Sequence, residues 1–148
     1  MANRNPRRQG DLGEKSAIRW FLEHDADVFL PISHSPDFDL VAYYGDGRLA
    51  RVQVKTSTQW RKRRWEVTVC TRGGNRSWNG LVKLLDPTAY DYLFVLVADG
   101  RRWYIPSAAV GGGSAIRLGG PRYAEFEIEL DPFGLAELHE PARAPAAQ

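Results

Sequence analysis

The sequence predicts an α/β domain, and three features carry that prediction. An apolar stripe at helical spacing lies near the start, a hairpin signal follows at residues 39–57, and residues 90–98 form a nearly continuous apolar run. The stripe is Ala17, Ile18, Phe21 and Leu22, which share one face of a helix. Asp11, with Glu14 three residues later, resembles a capping box, so the helix is expected to open at Asp11. Glu14 falls on the same apolar stripe, where a carboxylate needs a partner or a metal. Residues 28–32 are a short apolar run near Pro31 and read as a first strand.

In the hairpin, apolar, β-branched and aromatic residues flank Gly45-Asp46-Gly47. Symmetry about Asp46 makes paired residue numbers sum to 92, so Asp39 faces Gln53. Opposed side chains on one face lie about 5 Å apart. Gln53 and Lys55 are two residues apart and share that face, while Val52 and Val54 point the other way into a core. An acid, an amide and an ammonium thus converge, the groups needed to hold a divalent metal beside a phosphate. Asp37 takes the place of Asp39 if the register slips by two.

Beyond the hairpin, Trp60-Arg61-Lys62-Arg63-Arg64-Trp65 is expected at a hairpin tip before the alternating strand at 66–71. Tryptophans that stack on bases, bracketing cations that meet phosphates, suit a nucleic-acid surface. Residues 72–76, with Arg72 and Arg76, read as a loop. The run at 90–98 has the character of a strand buried on both faces. Late strands are expected at 115–118 and 123–130, the second with Phe126, Ile128 and Leu130 inward and Glu125, Glu127 and Glu129 outward. Three divisions follow: a flexible basic arm at 1–9, one domain at 10–131 and an Ala/Pro-rich tail at 132–148.

Bulk properties narrow the function. With 148 residues, 43% hydrophobic and 26% charged, the chain fits one soluble globular domain. It has no apolar run of membrane-spanning length and no apolar leader after Met1, and its lone Cys70 suits a reducing compartment; a cytoplasmic setting without membrane attachment is expected. The net charge of +2 is uneven: residues 1–122 carry 19 Lys/Arg against 12 Asp/Glu, and residues 123–148 carry one Arg against six acids. From charge alone the basic excess reads either as a solvated face or as a surface for a polyanionic partner. His24, His34 and His139 have no metal-ligand spacing, and Gly111-Gly112-Gly113-Ser114 lacks the Lys of a phosphate-binding loop.

An opening helix bearing Glu14, then Asp39 at the head of a hairpin, then Val52-Gln53-Val54-Lys55-Thr56, resembles the PD-(D/E)xK nuclease superfamily. The Gln-x-Lys variant, followed by Tyr90-Asp91-Tyr92-Leu93-Phe94-Val95 and Trp103-Tyr104-Ile105-Pro106-Ser107, looks like its group I intron-associated homing endonuclease branch. The resemblance implies a single-domain restriction-endonuclease-like αβββαβ core, with a central mixed β-sheet flanked by helices. It also implies Mg²⁺ (Mn²⁺ able to substitute) and hydrolysis of DNA phosphodiesters. Asp39, Gln53 and the Val54 carbonyl would be metal ligands, Lys55 would orient or activate the attacking water, and Glu14 would act from the periphery or through a water. Trp60, Arg61, Lys62, Arg63, Arg64, Arg72 and Arg76 are the candidate DNA contacts. A homo-oligomer is expected, because one site cuts one strand and a two-fold pair cuts both. Two rivals share the fold: a Holliday junction resolvase-like enzyme and a non-catalytic DNA-binding module. Gln53 makes the second credible, since it leaves the site one negative charge short.

Overall fold

The computed structural model describes residues 5–33, 37–72 and 82–133. Helix α1 (Pro6–Glu23) starts earlier than Asp11. Asn5 is its cap, with Oδ1 accepting from the amides of Arg7 (3.0 Å) and Arg8 (3.3 Å), and Pro6 supplies a preset φ at the first helical position. Residues 6–9, expected in a flexible arm, are therefore the first turn of the helix. Asp11 and Glu14 lie inside it rather than at its cap.

The strands that follow are β1 (Asp27–Phe29), β2 (Leu40–Tyr43), β3 (Leu49–Ser57), β4 (Trp60–Arg61), β5 (Arg64–Thr68), β6 (Cys70–Arg72), β7 (Val82–Leu84), β8 (Tyr92–Val97), β9 (Arg102–Pro106), β10 (Ala115–Leu118) and β11 (Glu127–Ile128). A short helix α2 (Ser107–Val110) follows β9, and a 3₁₀ turn (Ala124–Phe126) precedes β11. The main sheet runs β1-β2-β3-β8-β9-β11. Only the β3–β8 pair is parallel, so the sheet is mixed as expected. A second sheet, β10-β5-β4, and the β6–β7 pair complete the strands among the described residues. Within those residues β4 to β7 make the connection from β3 to β8; residues 73–81 lie outside them.

Each face of the main sheet has its own core. Toward α1, Ala17 and Phe21 of the helix meet Leu40, Ala42, Val52, Val54 and Phe94. On the other face Leu93, Val95, Val97, Trp103 and Ile105 pack with Trp65, Val67, Ile116 and Leu118 of the second sheet. The central strand β8 is buried on both sides, which explains its unbroken apolar run. Strand β3 is different: Ala50, Val52 and Val54 serve the α1 core, while Arg51, Gln53 and Lys55 point to the opposite face and are only half-buried. Cys70 is buried, as a small hydrophobe would be.

The last strand is much shorter than its alternation suggests. Residues 124–126 form the 3₁₀ turn, only Glu127 and Ile128 pair with β9, and Leu130 is exposed. Arg102 explains the early end, because its guanidinium takes the carbonyls of Glu129 (2.8 Å) and Leu130 (3.2 Å). Of the tail expected from residue 132, all but Pro132 and Phe133 lies outside the described residues.

Candidate active site

The β2–β3 hairpin pairs Leu40 with Val52, Val41 with Arg51, Ala42 with Ala50 and Tyr43 with Leu49, so paired numbers do sum to 92. Gly45 and Gly47 at the turn have φ of 84° and 89°, a region glycine enters without a Cβ penalty. Strand β2 starts one residue after Asp39, and this places the carboxylate at the open edge of β3. Asp39 Oδ2 accepts the Gln53 side-chain amide at 2.9 Å and the peptide N–H of Val54 at 2.7 Å. A strand residue's C=O leaves the chain on the same side as its N–H, so the Val54 carbonyl also faces the gap where β2 has ended. Gln53 presents its nitrogen to Asp39; a turn of about 180° at the terminal amide would exchange nitrogen and oxygen.

Lys55 continues the Gln53 face of β3, beside Val95 in the parallel ladder. Glu14 comes from α1, which crosses β3 at Gly13. A Cβ at Gly13 would collide with Thr56 Cγ2 and lie 3.2 Å from Val54 Cγ1, so only glycine lets the helix come this near. Sequence reasoning missed Gly13, whose signal was a glycine inside a helical stripe next to the candidate acid. It also missed how β3 is held to β8. Asp91 receives the Arg51 amide at 2.7 Å and the Arg51 guanidinium at 3.1 and 3.0 Å.

These groups carry strained charges. Burial pushes the Asp39 carboxyl up from its ordinary value, opposed by the Val54 N–H and by Lys55. Burial pulls the Lys55 ammonium down, opposed by Asp39 and Cys70. Glu14 is raised by burial first, then by the charges of Asp39 and Asp11. Among the described residues Lys55 forms no ion pair within 4.0 Å. The Asp39 charge raises the proton affinity of Glu14, and a cation bound beside the two carboxylates would relieve that repulsion. No three His, Cys, Asp or Glu side chains among the described residues cluster as a metal cage. The available donors are instead a carboxylate, an amide and a peptide carbonyl, and these hard oxygens suit Mg²⁺, which keeps several waters. Asp37 lies nearby and half-buried, just before β2.

The candidate DNA contacts divide. Trp60 is 53% exposed while its partner Trp65 is buried, their rings edge to face at 4.9 Å. Arg61, Lys62 and Arg63 are exposed. Arg64 is half-buried, its guanidinium lying over Gly120, where a Cβ would collide with it. The Arg72 backbone is in β6, and Arg76 lies outside the described residues.

A family model described as PD-(D/E)XK endonuclease matches residues 4–124. The chain belongs to that family. Its activity is therefore that of a nuclease, its substrate DNA, and the family generally uses divalent metal ions. The solved structure of a bacterial homing endonuclease, I-Ssp6803I, is similar at a TM-score of 0.71 and 23% identity, covering 96% of each chain. That likeness supports the restriction-endonuclease-like fold. No curated protein matches this family member. No helix among its described residues is long and apolar enough to cross a membrane.

Proposed function

We propose that this PD-(D/E)XK protein is a metal-dependent DNA endonuclease, most like a homing endonuclease, acting through Asp39, Gln53, Lys55 and Glu14. The observation that carries the proposal is the position of Asp39, which binds Gln53 and the Val54 amide at the start of β2, while Lys55, two residues beyond Gln53 on β3, forms no ion pair among the described residues. The full-length likeness to a homing endonuclease supports this subtype over a junction resolvase.

In this reading Asp39, the Gln53 amide oxygen and the Val54 carbonyl hold the ion, with Mg²⁺ the expected species and Mn²⁺ a substitute. When bound, it supplies a water of lowered pKa and charge neutralisation at the phosphate. Val54 N–H fixes the Asp39 carboxylate in the plane of the sheet. Lys55, whose proton is already loosened by burial, orients the attacking water and faces the phosphate charge. Glu14 approaches from the helix side and adds negative charge where Gln53 lacks it. Trp60, Arg61, Lys62 and Arg63 carry the adjoining DNA, and a homo-oligomer brings a second site to the other strand. The cytoplasm is the proposed compartment.

The test is cleavage of duplex and four-way-junction DNA in Mg²⁺, Mn²⁺ or EDTA by wild type and Asp39→Ala. Metal-dependent cutting of duplex, lost in the variant, is expected. Junction-only cutting transfers the protein to the resolvase reading, and no cutting under any condition to the non-catalytic one.

A further inference from the structure

The β4–β5 hairpin breaks a local folding rule at its tip. Trp60 pairs with Trp65 and Arg61 with Arg64, which leaves Lys62 and Arg63 as a two-residue loop. Both are left-handed, with φ of 50° and 63°. A two-residue loop with both φ positive is the turn that favours Asn-Gly, because a Cβ is unfavourable there. The chain places two long cations in it instead. Both are exposed, and neither forms an ion pair among the described residues, so the fold gains nothing visible from them. Strain retained without a structural return points to a contact outside the chain.

The root of the hairpin, by contrast, is fixed. Trp65 is buried in the core beneath the second sheet. Arg64 is laid over Gly120. Ser57, the last residue of β3, donates its hydroxyl to the Glu66 carbonyl at 2.5 Å, and the Glu66 amide donates to the Gln59 carbonyl at 2.9 Å. The tip is therefore held in a set direction from the strand that bears Gln53 and Lys55. Lys62 lies seven positions beyond Lys55, a span of at most about 25 Å. That is about seven base pairs at 3.4 Å each. A two-stranded ribbon fits the major groove, and Arg or Lys reaching guanine O6 and N7 is the commonest specific contact there.

We propose that the β4–β5 hairpin is a DNA-reading ribbon that enters the major groove, where Lys62 and Arg63 select guanine within about seven base pairs of the cut. The proposal deepens the nuclease reading and rests on it for the identity of the partner.

Lys62→Asn/Arg63→Gly restores the favoured turn, and Arg63→Lys keeps the charge while removing the guanidinium fork. Each is compared with wild type by thermal melting and by selection of bound duplexes from a random pool in EDTA. The double variant is expected to melt about 3 °C higher, to bind at least about tenfold more weakly and to lose the guanine preference. Arg63→Lys is expected to keep the salt dependence while relaxing that preference. A double variant that melts lower than wild type overturns the proposal, as does selection of the same sequences at wild-type affinity by both variants. None of these measurements needs cleavage. A wild type that selects DNA through the hairpin yet cuts none in Mg²⁺ or Mn²⁺ removes the nuclease reading and leaves this one standing.

Discussion

Two cations taken partly or wholly out of water, the buried Arg102 and the half-buried Lys55, sit at opposite ends of a scale. Arg102 is 3% exposed and hydrogen-bonded through all three guanidinium nitrogens: it donates to the carbonyls of Glu129 and Leu130 and to Ser16 Oγ (3.3 Å), with Asp131 at 4.0 Å. Burial pulls its pKa down, and Asp131, Glu129 and Glu23 push it back. Lys55 also has its pKa pulled down by burial, yet only Asp39 and Cys70 oppose this, and neither is joined to it by an ion pair. The contrast teaches which charge serves the fold. Arg102 ties α1, β9 and the last strand together, whereas Lys55 makes no such tie among the described residues and is the cation that the proposed function assigns to the substrate.

Substitution at each residue can break that comparison. Arg102→Ala removes the guanidinium beside buried Asp131 and frees two carbonyls, so a loss of about 3–5 kcal/mol is expected. The matching fall in melting temperature is about 10 °C, measured by calorimetry. A fall no greater than that of Lys55→Ala would erase the distinction. Lys55→Ala is expected to reduce DNA cleavage by at least about 10²-fold, the scale of losing a positioned acid–base or electrostatic group, with little change in melting. Equal loss of activity and stability would make Lys55 a structural residue.

Gly13→Val sharpens the picture from the helix side. Its methyls press on Thr56 and Val54, costing about 2 kcal/mol and displacing Glu14, so cleavage should fall further than at the helix's exposed positions. The smallest effect is expected for Glu14→Gln in EDTA. The Glu14 carboxyl is raised in the folded state, so its folding contribution is fully present below its unfolded pKa and is lost as pH rises through the folded one. Removing the charge should therefore stabilise the protein near pH 7 and make no difference at acid pH. Solvent screening keeps the gain within about 2 °C. A stabilisation that grows on acidification would reverse the sign and discard the burial of Glu14.

Much of this was legible in the sequence, for identifiable reasons. Gly45-Asp46-Gly47 fixes one turn, and alternation then decides which side chains face Asp39; the ladder has that register. The unbroken apolar run at β8 reflects burial on both faces. The helix start was hidden because Asp11 and Glu14 imitate a cap that Asn5 and Pro6 supply a turn and a half earlier. The end of β11 was hidden because the carbonyls of Glu129 and Leu130 go to a side chain rather than to a neighbouring strand, which no alternation pattern records. At the site, the sequence places Gln53 opposite Asp39, but the hydrogen bond that the Gln53 amide nitrogen donates to Asp39 Oδ2 is visible only in the folded hairpin. The left-handed turn at Lys62 and Arg63 gave no signal, since neither residue is one that such turns favour.

The parallel β3–β8 ladder also sets the order of events when the chain folds. Every partnered pair in it, from Val52 with Tyr92 to Ser57 with Val97, is forty residues apart. The local hairpin can close in about 1–10 μs, but such distant pairing carries the loop-closure cost that slows folding. A chain emerging from the ribosome therefore has Asp39, Gln53 and Lys55 well before the strand that holds them rigid. Until residues 92–97 arrive, β3 has an unpaired edge beside its hairpin, and the candidate site waits on the second half of the protein.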